Sequence, residues 1–446
     1  MSIPKKTDNK QGELFKSRLS KQLDPAHEIF TLSRAISWDV LEEKINALHP
    51  NKKDGQPPKP VRLIVGMLML QHIYNLSDEA IVERWVENPY WQYFCGFNYL
   101  QWDFPINPST LTRWRKRLGD KGMQDILQER VKTALKTGAV KEKSLESVIV
   151  DTTVMEKNIT HPTDSKLMNK AREHLVSVAK KEGVVLRQSY TKLSKTALIK
   201  AARYAHASQF KRMRKQVKTI KNYLGRVVRD VERQLVSQEE KYNKFEDVLG
   251  QAKQLLSQTK TSKNKLYSLH APEVSCIAKG KAHKRYEFGC KVSLTMTYKE
   301  GLVLESTALQ GNPFDGHTLK NALNQAQALT TKTIIKAFVD KGYKGHDVRN
   351  CAVYMSGQKR LTPALKKALK RRSAIEPHIG HMKNDGKLGR NYLKGVIGDK
   401  VHAILCAVGH NLRLILNHLW FLYLYLIRHL NTNLKKLLTH PYVLGL

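Results

Sequence analysis

Three acidic residues that lie far apart in the chain have sequence surroundings that would expose a carboxylate beside a secondary-structure element. Asp151 follows a run of apolar β-branched residues and precedes two threonines, so it lies on a predicted strand. Asp340 ends a second such run and is followed by a glycine-rich turn. Glu376 lies just beyond a strongly helical stretch. Carboxylates from separate elements can converge in a fold, and together these three would resemble a nuclease site.

Converging carboxylates repel one another unless a cation lies between them, and the hard cations that prefer oxygen ligands are Mg²⁺ and Mn²⁺. Two such ions about 3.5–4 Å apart activate a water and stabilise the leaving oxygen of a phosphodiester. The simpler interpretation is that an Asp at a strand end only forms a turn or a cap. We predict that Asp151, Asp340 and Glu376 are the catalytic residues and the ligands of Mg²⁺ or Mn²⁺.

The charge of the chain indicates a polyanionic partner. Its 446 residues include 77 Lys and Arg against 39 Asp and Glu, which gives a formal net charge of +38. No low-complexity basic tail accounts for this excess, so the charge indicates a nucleic acid; in the complete reading of the sequence the expected partner is double-stranded DNA.

The cysteines and the apolar segments suggest a reduced compartment. The five cysteines contain no Cys-x-x-Cys pair, a pattern that argues against both a zinc site and a disulfide framework. The amino terminus has no apolar signal core, and the apolar run at residues 419–427 is too short to span a bilayer. We predict a cytoplasmic protein, with a buried or interface helix at that run.

A helical block is predicted over residues 57–140, after a polar segment at residues 1–56. Pro60 opens its first helix and Ser77 is a predicted N-cap. We interpret the block as a DNA-binding domain.

Residues 107–119 read as a short helix that ends at Gly119 and has an almost wholly cationic polar face. In a helix-turn-helix arrangement such a helix would reach phosphates or base edges. The alternative is a solvated basic face near a helix end. The predicted DNA-binding residues of this helix are Arg113, Arg115, Lys116 and Arg117.

A long helical insertion is predicted over residues 163–262, where few glycines or prolines interrupt the sequence. Apolar residues recur there at helical spacing, and the region from Lys192 to Arg233 is rich in Lys and Arg. A charge run is usually a solvated face, but on so basic a chain we expect it to follow DNA. The residues predicted to contact DNA are Arg212, Arg214, Lys215 and Lys218.

Strand and helix patterns then alternate. Residues 285–297 and 301–309 predict an antiparallel hairpin, residues 316–329 a helix, and residues 333–339 the strand before Asp340. The predicted fold class is therefore α/β: a mixed sheet flanked by helices, interrupted by the helical insertion and preceded by an all-α amino-terminal domain. We place the catalytic domain at residues 141–418 and a carboxy-terminal helix and tail at residues 419–446.

Four motifs occur in one order along the chain: VDTTV at 150–154, GNPFDGHTL at 311–319, DKGYKG at 340–345 and RSAIEPHIGHMK at 372–383. Together they resemble bacterial insertion-sequence DDE transposases, specifically those of the insertion-sequence-five family. The similarity runs from about residue 15 to about residue 418.

This resemblance implies an RNase-H-like catalytic core in which Asp151, Asp340 and Glu376 form the metal-binding triad. It also implies that Arg372 and Lys383 are the basic residues around the glutamate and contact DNA. The family pattern has a tyrosine three residues before that arginine, whereas this chain has Leu369, so this position makes no hydroxyl contact.

A helix through this region would place three residues on one face: Arg372, Glu376 and Lys383. Pro377 lies within the span of that helix. A capping box from Ser373 to Glu376 would start a fresh helix and leave Pro377 in its first turn. The alternative is a kink in one continuous helix.

The predicted function is a transposase that binds the terminal inverted repeats of its insertion sequence, cleaves DNA with metal ions and transfers the freed strand to target DNA. Cutting at paired ends suggests a homo-oligomer, at least a dimer. The alternatives are an RNase-H-like nuclease or resolvase that cuts without joining, and an inactive DNA-binding derivative. A further alternative is a zinc enzyme that uses His378 and His381.

Overall fold

The structure is a computed structural model that describes residues 17–48, 59–236, 238–259, 261–278 and 285–438. The chain divides into two compact units. The larger unit comprises Met1–Met155, Lys291–Leu309 and Pro313–Leu446. The smaller unit comprises Glu156–Cys290 and Gln310–Asn312.

The amino-terminal part of the larger unit is helical. The sequence predicted a polar segment at residues 1–56, of which residues 1–16 and 49–56 lie outside the described residues. The remainder of that segment forms three helices that bury apolar side chains, among them Phe30 and Leu41. The helices are α1 (Leu19–Gln22), α2 (Glu28–Ala35), α3 (Trp38–Ala47), α4 (Val61–Ile73), α5 (Asp78–Glu87), α6 (Pro89–Phe94) and α7 (Pro108–Lys136).

The predicted starts of α4, α5 and α7 are confirmed. Pro60 is the N-cap of α4, and the Ser77 hydroxyl accepts a hydrogen bond from the Ala80 amide at 3.1 Å at the start of α5. Asn107 caps α7 through the Ser109 amide at 3.0 Å. Gly119 has φ 57° and kinks α7 instead of ending it. Helix α4 is apolar along nearly its whole length, and it is buried on all sides rather than on one face.

The sheet has seven strands in the order β2-β3-β1-β5-β6, with β4 beside β3 and β7 beside β1. Strand β5 is parallel to β1 and β6, whereas β3 is antiparallel to β2 and β4. The predicted mixed α/β class and the predicted hairpin, formed by β3 and β4, are confirmed. The strands are β1 (Ser147–Lys157), β2 (Ser275–Ile277), β3 (Glu287–Thr297), β4 (Val303–Leu309), β5 (Lys336–Val339), β6 (Ala352–Met355) and β7 (Arg390–Asn391).

The smaller unit contains four helices with one apolar core. They are α8 (Asp164–Lys181), α9 (Thr191–His206), α10 (Phe210–Leu235) and α11 (Glu239–Ser257). Helix α10 buries a stripe that includes Leu224, Val228 and Val231, and its opposite face is polar. The amphipathic character expected of this region is therefore present in α10.

The remaining helices of the larger unit follow β4. They are α12 (Asp315–Thr330), α13 (Pro363–Lys370), α14 (Ile375–Asn384) and α15 (Gly395–Leu438), and a 3-10 helix at Arg371–Ala374 links α13 to α14. Helix α15 packs against α4, α7 and β4. The Asn411 side chain donates to the Val303 carbonyl and accepts from the Val303 amide, each at 2.8 Å. Hydrogen bonds to buried backbone groups thus join α15 to the sheet.

Helix α15 runs without a break across residue 418, where the sequence predicted that the catalytic domain ends. Among the described side chains, those from Asp399 to Leu416 are largely buried and those from Asn417 to Arg428 are largely exposed, including Trp420, Phe421 and Tyr425. The buried interpretation of residues 419–427 is therefore wrong within this chain, and the interface interpretation stays a prediction. None of the helices in the described ranges has the length and apolar character needed to cross a bilayer.

A carboxyl group is buried inside the β3–β4 pair. Glu305 is 1% exposed and accepts hydrogen bonds from Thr295 Oγ1 at 2.9 Å and Ser293 Oγ at 3.4 Å. Burial raises the pKa of Glu305 to about 7, because the hydroxyl hydrogen bonds offset only part of the desolvation of the charged form.

This carboxyl predicts a pH dependence of stability. A raised folded-state pKa contributes stability that is fully present below the unfolded pKa, near 4.5, and is lost as pH rises towards 7. Relative to Glu305→Gln, the wild type should lose about 3 kcal/mol of unfolding free energy over that window. Urea unfolding followed by tryptophan fluorescence at several pH values measures the difference. The exposed Glu83→Gln is the control, and identical pH profiles for wild type and Glu305→Gln would contradict the prediction.

Candidate carboxylate site and basic surfaces

The parallel pairing of β1 with β5 positions the two aspartates. The register pairs Ser147 with Lys336 and continues in step to Val150 with Val339. Asp151 on β1 and Asp340, which directly follows β5, come next in this register, so both carboxylates leave the sheet at the same level. The sequence predicted that Asp151 lies at a strand end, but β1 continues to Lys157, and it is the pairing with β5 that stops before Asp151.

Backbone amides orient both carboxylates. Asp151 Oδ1 accepts a hydrogen bond from the Thr152 amide at 2.7 Å, and Asp340 Oδ1 accepts one from the Lys341 amide at 2.7 Å. Asp340 thereby caps the 3-10 helix Lys341–Tyr343. A carboxylate held by an amide has less rotational freedom to lose when it binds a cation.

Glu376 lies in the first turn of α14. Pro377 is also in that turn, where its missing amide costs little, as predicted. The predicted capping box is wrong: α14 begins at Ile375 with Ala374 as its N-cap, and the Ser373 hydroxyl donates to the Lys370 carbonyl instead. The preceding 3-10 helix makes the side-chain cap unnecessary because it already supplies carbonyl acceptors for the first amides of α14.

The guanidinium of Arg372 brings the three acids together. Its Nη1 lies 3.5 Å from Asp151 Oδ2, and its Nη2 lies 3.9 Å from Asp340 Oδ1 and 3.8 Å from Glu376 Oε1. The Arg372 side chain is 14% exposed, whereas those of Asp340 and Glu376 are 52% and 67% exposed. A largely buried cation thus lies among three carboxylates that face solvent to different degrees, and it offsets their mutual repulsion.

Asp315 is a fourth acid close to this group, and the sequence analysis did not assign it a role. At the start of α12, its Oδ1 accepts from Thr152 Oγ1 and from Lys291 Nζ, each at 3.1 Å. Lys291 Nζ also donates to the Pro313 carbonyl at 2.7 Å. The contacts of Asp315 join β1, β3 and α12 next to Asp151. Its position within the motif at 311–319 was the signal that could have identified it.

Tyr343 is buried beside the acids. Its side chain is 1% exposed, and its hydroxyl finds no hydrogen-bond partner in the part of the chain that the structure describes. Burial, and then the negative charges of Asp151 and Asp315, raise the pKa of Tyr343 well above its usual value. The hydroxyl therefore stays protonated and can act only as a neutral donor or acceptor.

The chemistry of the donor set suits a hard divalent cation, because Asp151, Asp340 and Glu376 offer carboxylate oxygens. Their oxygens lie around the Arg372 guanidinium and do not form a compact ligand group by themselves. Among the described residues, the group whose ligand atoms all lie within 4.8 Å of one another consists of His72, His402 and Cys406. The three acids therefore converge, with a cation of the protein at their centre.

The other residues predicted near Glu376 have distinct surroundings. Lys383 is half-buried in α14, and Leu369 lies in α13. His378 packs edge-on against His410 with ring centroids 5.4 Å apart, and burial lowers its pKa. His381 Nδ1 instead lies 2.5 Å from Asp385 Oδ2. The two histidines do not form a ligand group within the described residues.

The first half of α7 exposes three of its four predicted DNA-binding residues: Arg113, Lys116 and Arg117. Arg117 lies over the Trp114 ring at 5.0 Å. Arg115 is instead 6% exposed, and its Nη2 lies 2.6 Å from Asp78 Oδ1. Arg115 therefore joins α7 to α5 instead of facing outward.

Arg115 changes the ionisation of its partner. Burial alone would raise the pKa of Asp78, but the hydrogen bonds and the positive charge of Arg115 outweigh burial and lower it. Gln71 Oε1 also accepts from Arg115 Nη2 at 2.7 Å. The guanidinium is thus fully engaged inside the helical region.

Helix α10 exposes the basic residues predicted for it. Arg212, Arg214, Lys215 and Lys218 are all exposed. Arg212 Nη1 donates to Gln209 Oε1 at 3.1 Å, and its guanidinium lies 5.9 Å from the Tyr204 ring. These four cations form a continuous basic surface on one helix, which we name the α10 surface.

Comparison with known proteins gives two matches. Residues 17–117 match the family described as Transposase domain (DUF772), and this stretch runs from before α1 to two residues before the kink in α7. A protein of Rhizobium meliloti described as "Uncharacterized protein ORF8 in nfe locus" is 47% identical over 207 residues, which make up 46% of this chain and 99% of that protein. No solved structure matches the chain.

The different environments of Arg113 and Arg115 predict different effects on stability. Arg115→Ala should lower the unfolding free energy by about 3 kcal/mol, because it leaves Asp78 and Gln71 without their partner; the 23% exposure of Asp78 limits the loss. Arg113→Ala should change it by less than about 0.5 kcal/mol. Chemical denaturation of both variants measures the contrast. Equal stability of the two variants would show that the Arg115 ion pair contributes little.

Proposed function

We propose that this chain transposes an insertion sequence of the insertion-sequence-five type. The premise is that the chain belongs to the same protein family as the Rhizobium meliloti ORF8 protein and carries a transposase domain. The chain binds the terminal inverted repeats, cleaves DNA there and transfers the freed strand to target DNA. The observation that carries this proposal is the convergence of Asp151, Asp340 and Glu376 on Arg372.

In this proposal the larger unit contains an RNase-H-like core. The parallel β1–β5 pair and the β3–β4 hairpin of the mixed sheet support that assignment. Asp151, Asp340 and Glu376 would hold Mg²⁺ or Mn²⁺. When bound, such ions activate the attacking oxygen and stabilise the leaving oxygen of the phosphodiester.

The remaining residues orient the acids and the substrate. Arg372 offsets the charge of the three carboxylates and, once they bind a cation, becomes available to a DNA phosphate. Asp315 and Lys291 hold β1 and α12 in place beside Asp151. The Tyr343 hydroxyl stays protonated, so it gives the buried side of the site a neutral polar group. In cleavage, a water oxygen bonds to phosphorus, the bond from phosphorus to the 3′-oxygen breaks, and that oxygen takes up a proton and leaves as a hydroxyl. In transfer, the oxygen of that hydroxyl loses its proton and bonds to a target phosphorus, and the 3′-oxygen of the target strand leaves as a new hydroxyl.

DNA contacts come from three places in this proposal. Arg113, Lys116 and Arg117 of α7 face the terminal repeat, and the α10 surface follows the phosphate backbone. Arg372 and Lys383 lie next to the acids. Two ends must be cut together, so we propose a homo-oligomer, at least a dimer, acting in the bacterial cytoplasm at the nucleoid.

A nuclease or resolvase with the same carboxylates is the second candidate, since cleavage and joining use one site. The two are distinguished by incubating the purified chain and Mg²⁺ with labelled DNA that carries the element ends and with a supercoiled target plasmid. A transposase gives joined products, whereas a nuclease gives only cut ends. Intact DNA in every reaction would support an inactive DNA-binding derivative.

Replacement of any one of Asp151, Asp340 or Glu376 with Ala should abolish Mg²⁺-dependent cleavage and leave binding to end DNA within about threefold. The reason is that each acid supplies charge for the reacting phosphate, not for the DNA backbone as a whole. Gel-based cleavage assays with Mg²⁺ or with chelator measure the effect.

Asp347→Ala is the matched control, because Asp347 is exposed and forms ion pairs with two exposed cations, Lys320 at 3.3 Å and Arg349 at 3.7 Å. It should cleave like the wild type. Cleavage by Glu376→Ala at a rate close to that of the wild type would overturn the assignment of the triad.

The α10 surface predicts a salt effect. Substitution of Gln for Arg212, Arg214, Lys215 and Lys218 should weaken binding on any sequence and lower the magnitude of the salt slope by up to about 4, since each phosphate contact contributes about 0.9. Fluorescence anisotropy with duplex DNA at several salt concentrations measures this slope.

The control replaces four other exposed cations of the smaller unit with Gln: Lys166, Lys180, Lys181 and Lys263. It removes the same charge and should leave the slope nearly unchanged. An equal loss in both variants would indicate a net-charge effect and would exclude a specific role for the α10 surface.

A further inference from the structure

A second cluster of potential ligands lies inside the larger unit, away from the carboxylates. His72 belongs to α4, whereas His402 and Cys406 lie four residues apart on α15. One ligand atom of each lies within 4.8 Å of the others. The three residues are 2%, 4% and 2% exposed, respectively. An imidazole pair and a thiol are thus enclosed where two packed helices meet.

His72 has a ring nitrogen that the hydrogen bonds of the described residues do not use. Its Nδ1 lies 2.9 Å from the Leu68 carbonyl oxygen. Because a carbonyl oxygen only accepts, Nδ1 carries the proton and Nε2 has a lone pair. Nε2 is buried and has no hydrogen-bond partner among the described residues. A buried acceptor without a partner costs free energy, so binding of a ligand to this nitrogen would be favourable.

His402 has a similar support. Its Nε2 lies 2.8 Å from the Lys387 carbonyl oxygen. The His72 and His402 rings are 6.1 Å apart between centroids at an interplanar angle of 65°. A backbone carbonyl bonded to one ring nitrogen is the usual arrangement around metal-ligating histidines, because it orients the ring and makes the other nitrogen more basic.

We propose that His72, His402 and Cys406 bind one divalent ion of the borderline class, Zn²⁺ in the cell. Two imidazole nitrogens and one thiolate are ligands that zinc accepts, whereas Mg²⁺ prefers oxygen. Binding replaces the thiol proton, which passes to solvent, with a sulfur–metal bond. A tetrahedral ion takes its fourth ligand from outside the three side chains.

The site has a structural consequence that is independent of the proposed transposition. His72 lies within the stretch that matches the transposase domain, and the other two ligands lie on α15. Arg413 Nη1 already joins the helices by donating to the His72 carbonyl at 2.7 Å. An ion bound by both helices would fix α15 against the amino-terminal helices. The positive charge of Lys387 lies near His72 and repels a cation bound there. An anionic sulfur among the ligands offsets this repulsion, so the lysine favours a donor set that includes the thiolate.

Cobalt substitution tests the proposal on the full chain. The untagged protein is purified with chelator, dialysed and titrated with CoCl₂ while absorption is recorded. We expect one Co²⁺ per chain, with visible d–d bands of a tetrahedral ion and a near-ultraviolet band from sulfur-to-cobalt charge transfer. Metal analysis of protein purified without chelator should find zinc. A wild-type chain that binds no Co²⁺ with a sulfur band would overturn the proposal.

Variants identify the ligands. Cys406→Ser should lose the charge-transfer band, and its Co²⁺ affinity should fall by more than the roughly 10- to 100-fold that loss of a supporting contact costs. His72→Gln should also weaken binding but keep the sulfur band at saturation. Cys95→Ser is the matched control, since Cys95 is equally buried and lies outside the cluster. A sulfur band that survives in Cys406→Ser and disappears in Cys95→Ser would overturn the assignment.

Circular dichroism before titration verifies that each variant is folded. If Cys406→Ser does not fold, the wild-type chain modified at its thiols with a reversible disulfide reagent replaces it. Co²⁺ binding that returns only after reduction supports the site, and binding that is unaffected by the modification of Cys406, as verified by peptide mass, overturns it.

Discussion

The parallel pairing of β1 with β5 is the constraint on which the carboxylate site depends. Four consecutive residue pairs hold the two strands in register, and an aspartate directly follows the last pair in each of the two segments. A slip of one residue would move one carboxylate to the opposite face of the sheet. The apolar residues before Asp151 and Asp340 are buried, so the register is held by burial as well as by hydrogen bonds.

The converging carboxylates repel one another, and cations of the same chain offset this repulsion. Arg372 lies among the three acids of the triad, and Lys291 pairs with Asp315. Both cations are largely buried, so their interactions are less screened than those of surface ion pairs. In the proposed function Arg372 would face a phosphate of DNA after the acids have bound metal, whereas Lys291 would stay paired with Asp315.

Helix α15 connects the amino-terminal helices of the larger unit to the sheet. It packs against the amino-terminal helices and against β4, and hydrogen bonds from Asn411 and Arg413 reach backbone groups of both. The buried His72, His402 and Cys406 lie along the same contact. Polar groups in such a place need partners, because water cannot supply them.

Local pattern alone was enough to predict the starts of α4, α5 and α7, the β3–β4 hairpin, the strand that contains Asp151 and the strand that precedes Asp340. Periodicity, proline position and capping residues act within a few residues of the chain, so they can be read without a fold. The grouping of Asp151, Asp340 and Glu376 came from the sequence surroundings of each acid, and the resemblance to transposases implied the same triad. The helices at residues 19–47 were missed because their apolar faces are short and interrupted by polar residues.

Only the tertiary structure decided which side chains meet. Arg115 and Arg117 have similar local surroundings on α7, but Asp78 on another helix draws Arg115 into the interior. The central place of Arg372 depends on contacts across 221 residues of chain, and that of Asp315 on contacts across 163. The absence of a Cys-x-x-Cys pair argued against zinc, yet the fold brings one cysteine of α15 next to a histidine more than 300 residues earlier. Such contacts arise from helix and strand packing, and a sequence read along its own length does not contain their distances.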